Sequence, residues 1–286
     1  MVFILTHKSE FPILSPSKRK FLSIFRRCKL TNVFRERAFF GWIAACSACV
    51  AATLVVLLAG CGSADGERDW DPSLSASERE IVKRYARLFA EKKNTFWPNR
   101  WLGLNTQQNP NDVWVTQEII SEVGPDFIIE AGTYQGGSAT LWAMVLEQVN
   151  PKGRVITIDI KDRSFVARKL PIVQRRVDFI LGSSTAPDVV AEIAERTRGK
   201  RVMVILDSDH TREHVSAELA AYAPLVGIGS YLIVQDTGGV MIQNPNPGPR
   251  QALDDFLETH PEFEPDRNRE RMLLTMHPKG YLRRVR

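Results

Sequence analysis

Five short runs of β-branched and aliphatic residues recur along the chain from residue 126 onward, and a helical pattern separates each from the next. The runs are DFIIEAG (126–132), RVITIDI (154–160), VDFILGS (177–183), RVMVILDSD (201–209) and SYLIVQDT (230–237). Several are apolar throughout, the pattern of strands covered on both faces. Helical periodicity fills the windows near 137–149, 163–174, 187–198 and 212–226. In the last, Val215, Leu219, Tyr222 and Val226 form one apolar stripe. Such alternation predicts a parallel sheet with right-handed crossovers. Upstream, Ser77-x-x-Glu80 reads as a capping box opening a helix through about residue 93, with Ile81, Tyr85, Leu88 and Phe89 at helical spacing. An irregular stretch rich in aromatics and amides follows, WPNRWLGLNTQQNPNDVW, and then a helix near 112–123. The final RMLLTMHPKGYLRRV predicts two more strands joined by a Pro-Lys-Gly turn. No internal repeat is visible.

A different pattern fills the N-terminal fifth. Residues 38–60 are 23 positions without a charge, enough to span a bilayer. Basic residues precede this run and Asp65, Glu67, Asp69 and Asp71 follow it, which orients the N-terminus inward and sends the rest across. Leu58-Ala59-Gly60-Cys61 resembles a bacterial lipobox, where a signal is cut before a cysteine that becomes lipid-modified. The expected organisation is therefore a basic N-terminal region with a lipoprotein signal or membrane anchor over 1–60, a small polar linker over 61–76, and one domain over 77–286. That places the domain at the outer side of a membrane; a misread address would leave it in the cytoplasm.

Charge sharpens the division. Residues 1–60 hold nine Lys/Arg and two acids, so they carry +7 of the chain's formal +5, leaving −2 for 61–286. The domain lacks the basic balance of a nucleic-acid-binding surface. All four cysteines, Cys28, Cys46, Cys49 and Cys61, lie at or before position 61, so the domain has no thiolate metal site and no disulfide framework.

Candidate chemistry clusters at the carboxyl ends of the predicted strands, where open α/β sheets bind ligands. The first strand runs into Glu130-Ala-Gly132-Thr133-Tyr-Gln-Gly136-Gly137-Ser138 and then a helix. Glycines there permit a tight turn and close approach of backbone to ligand, and a helix N-terminus offers free N–H groups. The spacing is not G-x-G-x-x-G, so a pyrophosphate cradle is not indicated. The second strand ends in Asp159, 27 residues after Gly132, placed to accept both ribose hydroxyls or to cap the next segment. The third ends in Gly182-Ser183-Ser184, where a nucleobase edge could meet hydroxyl and backbone groups. The fourth and fifth end in Asp207-Ser-Asp209-His210 and Gln235-Asp236-Thr237. Carboxylates from adjacent strand ends converge, and hard oxygen donors without thiolate suit Mg²⁺. Asp209 is also placed to cap the helix that begins at Thr211. His210 and His214 are spaced i, i+4, but no H-E-x-x-H accompanies them.

Taken together, IIEAGTYQGGSA, VITIDI, LDSDHTREHV, ELAAYAPLV and GSYLIVQDT, with the tail GPRQALDDFL…RERMLLTMHPKGYLRR, resemble the cephalosporin hydroxylase and rhamnosyl O-methyltransferase family over roughly 97–285. The resemblance implies an α/β, Rossmann-like class I methyltransferase fold with a mostly parallel seven-stranded sheet and helices on both faces. It implies S-adenosylmethionine as cofactor, held by Glu130, Gly132, Thr133, Gly136, Ser138, Asp159 and Ser183, and Mg²⁺ held among Asp207, Asp209, Gln235 and Asp236. The family commonly carries Glu where this chain has Gln235, which removes one negative charge from the metal site. His210 is the candidate base, with Asp209 beside it. The reaction implied is O-methylation of a sugar or glycolipid hydroxyl, with the loop Gly238–Pro249 covering the acceptor. An exported, non-catalytic binding protein on the same fold is the alternative, and a cephalosporin-hydroxylase-type enzyme the third. Expected partners are the small-molecule or glycolipid acceptor and, through the N-terminal segment, a membrane; nucleic acid is not expected. Homo-oligomers are compatible with the sequence and not required by it.

Overall fold

The computed structural model describes residues 74–92, 95, 97–238 and 247–286. The apolar run 38–60, Cys61 and the linker up to residue 73 lie outside the described residues. No helix among the described residues is long and apolar enough to cross a membrane.

The chain runs through α1 (Ala76–Glu91), a small hairpin β1 (Arg100–Trp101) and β2 (Leu104–Asn105), α2 (Pro110–Val123), β3 (Phe127–Ala131), α3 (Gly137–Val149), β4 (Arg154–Asp159), α4 (Pro171–Arg176), β5 (Val177–Leu181), α5 (Pro187–Arg196), β6 (Val202–Leu206), α6 (Arg212–Tyr222), β7 (Tyr231–Val234), α7 (Gly248–Thr259), β8 (Phe263–Pro265) and β9 (Tyr281–Arg284). Seven strands form one sheet in the order β5-β4-β3-β6-β7-β9-β8. The first five are parallel; β9 runs antiparallel to both β7 and β8. This is the mostly parallel, Rossmann-like sheet expected.

Why the strands read as unbroken apolar runs is now visible. Successive side chains point to opposite faces, and both faces are covered. Ile129, Ala131, Ile156, Val204 and Leu232 pack with Ile193 of α5, Leu219 and Tyr222 of α6 and Leu253 of α7. Ile128, Val155, Met203, Ile205 and Ile233 pack on the other side with Ile119 of α2, Trp142 and Leu146 of α3 and Val173 of α4. Both cores draw only on residues between 115 and 282, inside the compact unit 63–286. A unit with its own complete core is expected to fold alone.

Three local expectations are corrected. The capping box of α1 uses Ser75 and Glu78, not Ser77 and Glu80: the Glu78 amide donates to Ser75 Oγ and the Ser75 amide to Glu78 Oε2. Packing turns Val82 and Ala86 inward, Ala86 onto Leu274 and Met276, and leaves Ile81, Tyr85 and Leu88 exposed. The helix expected over 163–174 is a short turn at Ala167–Lys169 followed by α4, because Pro171 holds Leu170 extended. The terminal hairpin does not form. β9 pairs with β8, and residues 271–276 are irregular, with Leu273 in the left-handed region. Asp112 captures this segment: its carboxylate accepts from Thr275 Oγ1, the Met276 amide and Tyr281 Oη.

The sheet reverses its direction of growth between β3 and β6. From β3 the chain winds outward to β4 and β5, then crosses back to β6 and β7. Ligands bind outside the carboxyl ends of the strands at such a switch point.

Candidate functional site

At the switch point the ends of β3 and β6 touch through backbone. The Asp207 amide donates to Ala131 O, and a Cβ added at Gly132 would lie 1.9 Å from Asp207 O. Gly132 also has φ +98, so no side chain fits there on either count. The turn continues through Gly136, in the left-handed region as N-cap of α3, and Gly137, where a Cβ would meet Asn105 O at 2.4 Å. The hairpin therefore closes over the start of α3, and Ser164 and Ala167 close on the adjacent Gly136.

Beneath the turn lies Glu130, fully buried. Trp142 Nε1 donates to its Oε1 at 3.1 Å and Thr157 Oγ1 to its Oε2 at 2.6 Å; Thr133 Oγ1 is 2.7 Å from Thr157 Oγ1. Burial pushes the Glu130 carboxyl up to about 7, despite the hydrogen bonds from Thr157, Ser138 and Trp142. Asp159 stands at the end of β4, where its Oδ2 accepts the Tyr134 amide and its Oδ1 the Lys161 amide. It thus fixes the turn after β3 and keeps lone pairs facing outward. Ser183 is half-buried and 3.0 Å from Thr185 Oγ1. Its neighbour Ser184 is buried and donates to Glu218. Glu130, Gly132, Thr133, Gly136, Ser138 and Asp159 thus surround one turn, and Ser183 stands beyond β5.

The second cluster sits at the ends of β6 and β7. Asp207, His210 and Asp236 each present a ligand atom within 4.8 Å of the others. His210 Nε2 is 3.5 Å from Asp207 Oδ1 and its Nδ1 is 3.4 Å from Asp236 Oδ2. Burial opposes the imidazolium, but the hydrogen bond to Asp207 and the charges of Asp236, Asp207 and Asp209 outweigh it and raise His210 to about 9. Burial and the charge of Asp207 raise the Asp236 carboxyl. Gln235 is buried beside them. Asp209 is apart from the cluster: its Oδ1 accepts the Thr211 amide at the start of α6. The second histidine is apart as well, with His214 Nε2 3.1 Å from Ser184 Oγ and 3.2 Å from Glu218 Oε1. Of the loop Gly238–Pro249, residues 239–246 lie outside the described residues. Its far end returns to the site, since a Cβ at Gly248 would meet His210 O at 2.2 Å.

Three residues of this cluster were not anticipated. Gln108 is buried and its Nε2 donates to Asp207 Oδ2 and to Gln235 Oε1, both at 3.0 Å. His277 accepts the Asp236 amide on Nδ1 at 3.1 Å, which puts its ring proton on Nε2, the side facing Asp112 Oδ2 at 3.8 Å. Asp236 is a non-glycine residue at φ 55. His277, itself positioned beside Asp112, holds it in that conformation. The amide-rich QQNPND run and the histidine of the Met-His-Pro-Lys-Gly turn were the available signals.

The profile of the Rhamnosyl O-methyltransferase/CmcI family matches residues 94–285, which is 192 of the 286 residues. The chain belongs to this family. It is 34% identical over 200 residues to the rhamnosyl O-methyltransferase of Mycobacterium tuberculosis, covering 66% of this chain and 80% of that one. The Mycobacterium leprae enzyme of the same name is 33% identical over 192 residues, 64% of this chain and 81% of that one. Among solved structures, CmcI with magnesium and SAM superposes with a TM-score of 0.51 at 20% identity, covering 68% of this chain and 81% of that chain. The unliganded CmcI structure gives 0.51 over 76% and 86%. Family membership makes the protein an O-methyltransferase by class, and the structural likeness confirms the class I methyltransferase fold.

Proposed function

We propose that the protein transfers the methyl group of S-adenosylmethionine to a hydroxyl of a sugar or glycolipid, with a divalent cation at the strand-end acids. The observation that carries this is the contact of two sites at one switch point: the glycine turn after β3 closes directly on the backbone of Asp207, the first acid of the cluster. The curated mycobacterial relatives act on rhamnosyl groups, which favours a deoxysugar hydroxyl as acceptor.

The residues fit both groups. The turn Gly132–Ser138, with Asp159 at the neighbouring strand end, offers backbone N–H groups to a carboxylate and an acid to a ribose. Two carboxylates and the Gln235 amide oxygen make a hard donor set, suited to Mg²⁺ over softer metals. Asp207 and Asp236 stand as like charges on a half-buried rim, and a dication relieves that repulsion. When bound, the cation supplies electrostatic activation of an acceptor oxygen. The remaining work belongs to the chain. Gln108 orients Asp207, His277 orients Asp236, and His210 lies between the two acids; a cation held by those acids would oppose the imidazolium they now favour, and the neutral ring could then accept a proton from the acceptor. The sulfonium methyl is already activated, so alignment of the acceptor is the main requirement.

The test is methyl transfer from labelled S-adenosylmethionine to a rhamnosyl glycoside, with magnesium and with chelator, alongside calorimetry of cofactor binding. Absence of cofactor binding under both conditions would refute the reading. We also propose that the N-terminal segment delivers the domain to a membrane, on the strength of the Leu58-Ala59-Gly60-Cys61 pattern. Mass spectrometry of the mature N-terminus checks it: an unmodified chain beginning upstream of Cys61 is incompatible with lipid attachment.

A further inference from the structure

The segment 161–176, KDRSFVARKLPIVQRR, carries six cations and one acid, a local +5. The rest of 61–286 then carries 23 cations and 30 acids, or −7. The tail 267–286 is as basic, with seven cations and one acid, but Arg267, Arg269, Arg271 and Lys279 there are ion-paired; the stretch 161–176 lies between β4 and β5, beside the cofactor turn. Part of it is neutralised: Arg168 pairs with Asp162, and Arg175 and Arg176 with Glu147. Lys161, Arg163 and Lys169 are exposed and make no ion pair among the described residues. Between them the tip is apolar. Ser164 and Ala167 turn inward onto Gly136, while Phe165 and Val166 turn out to solvent, Phe165 at 67% exposure.

A second apolar tip rests on the same turn. The hairpin β1–β2 closes over Gly137, and its two turn residues are Leu102 at φ 52 and Gly103 at φ 82. Two consecutive left-handed residues suit Asn-Gly, which bends freely and is hydrated. Here a leucine occupies the strained first position and is 58% exposed, beside exposed Trp101 and Arg100. Neither folding energy nor turn chemistry favours leucine there. Aromatic and aliphatic tips ringed by lysine and arginine match a lipid–water interface, where rings lie at headgroup level and cations meet anionic headgroups.

We propose that the Phe165–Val166 loop and the Trp101–Leu102 hairpin dock the domain onto an anionic lipid surface, next to the cofactor turn. This goes beyond methyl transfer and does not involve the N-terminal segment. It brings the site to an acceptor held in a membrane. Each cation within reach of an anionic surface strengthens binding about fivefold.

Residues 63–286, which hold both cores, are tested by co-sedimentation with vesicles of phosphatidylglycerol and phosphatidylcholine at 3:7, and of phosphatidylcholine alone. The expected result is binding to the first only. Phe165→Ser with Val166→Ser, Trp101→Ser with Leu102→Ser, and Arg163→Gln with Lys169→Gln should each weaken it by roughly tenfold or more. Tm should hold for the Phe165/Val166 pair; Trp101 Nε1 donates to Met144 Sδ at 3.2 Å and Arg163 lies over the Tyr134 ring, so a lower Tm in those two pairs is read against Leu102→Ser alone and Lys169→Gln alone. Absence of binding to the anionic vesicles, or binding indifferent to all three pairs, overturns the proposal. So does a fall from dimer to monomer mass by light scattering in the Phe165/Val166 variant, which would assign the tips to a second copy of the chain. No cofactor is present in these assays, so their failure is separate from failure of the methyl-transfer reading.

Discussion

The two halves of the site are built by opposite means. Around the turn after β3 the chain contributes mainly backbone: glycines that let strands and loops meet, a helix start, and a buried carboxyl beneath. Around the ends of β6 and β7 it contributes side chains, and their positions depend on residues far away in sequence. Gln108 bonds Asp207 across 99 positions and Gln235 across 127, while His277 holds the Asp236 amide across 41. A backbone site tolerates no added bulk but asks little of its neighbours' chemistry. A side-chain site tolerates bulk in places but fails when one distant partner loses its hydrogen bond. Substitutions in the first half should therefore act on folding and cofactor binding, and those in the second on turnover and cation affinity.

The largest effect is expected at Gly132. Alanine there places a methyl 1.9 Å from Asp207 O at a φ of +98. Overpacking and left-handed strain together cost about 3–5 kcal/mol. Thermal unfolding should show a domain close to its stability limit, with cofactor binding lost in calorimetry. A Gly132→Ala protein that binds cofactor normally would mean that β3 and β6 do not meet as described. Next comes Asp207→Asn, which keeps the shape and the contact to Gln108 but removes a charge. Turnover should fall on the order of 10²-fold, with cofactor affinity in the absence of cation little changed. Equal losses in both would erase the distinction between the halves.

Glu130 offers a test that needs no substrate. Its carboxyl ionises near 7 in the fold, because burial disfavours the charge, against about 4.5 when exposed. Between those values the folded state holds a proton that the unfolded state has lost. Glu130 should therefore make stability of the cofactor-free domain fall by about 3 kcal/mol as pH rises from about 4.5 to 7, and His210, raised to about 9, continues the fall above about 6.5. Glu130→Gln should remove its share, measured as urea midpoints between pH 5 and 6.5, below the His210 window. If the slope there persists in the variant, the buried proton belongs to another group.

How far the sequence could be read follows from the same contrast. The strands were legible because burial on both faces leaves unbroken apolar runs, and the strand ends were legible because each run stops at a polar residue. Glu130, Gly132 and Asp159 are therefore found by position along the chain. Asp207 and Asp236 come together because β6 and β7 are neighbours, which alternation predicts. Gln108, Asp112 and His277 left no comparable mark. Gln108 and His277 sit in irregular segments and Asp112 in the first turn of α2, and the path of the tail is set by that one buried carboxylate: Asp112 gathers Thr275, Met276 and Tyr281, a set of contacts with no periodicity to announce it. The same carboxylate explains why the expected terminal hairpin gives way to an irregular segment. Asp209 shows the reverse case. Its motif position suggested a ligand, whereas its geometry serves the start of α6.

The smallest predicted effect asks whether the distant partners matter to the chemistry or only to the fold. Gln108 donates one hydrogen bond to an acid and one to an amide, and so fixes the rotamers of Asp207 and Gln235 at once. With Gln235 in place of a carboxylate, the cluster has one charge fewer to attract a cation, and orientation carries more of the affinity. Gln108→Ala leaves the charges intact and frees both side chains. Loss of such an outer partner costs about 10-fold to 100-fold in metal affinity; the lower end is expected here, because water can enter and replace the amide. The signature is a shift in the magnesium concentration needed for half-maximal activity, with turnover at saturating magnesium recovered. Gln108→Glu separates orientation from charge: it keeps the length, replaces the two donors with a third carboxylate and should disperse the cluster further when no cation is present. If Gln108→Ala lowers Tm but leaves the magnesium dependence unmoved, the amide is a structural strut, and the second half of the site is less dependent on distant residues than its hydrogen bonds imply.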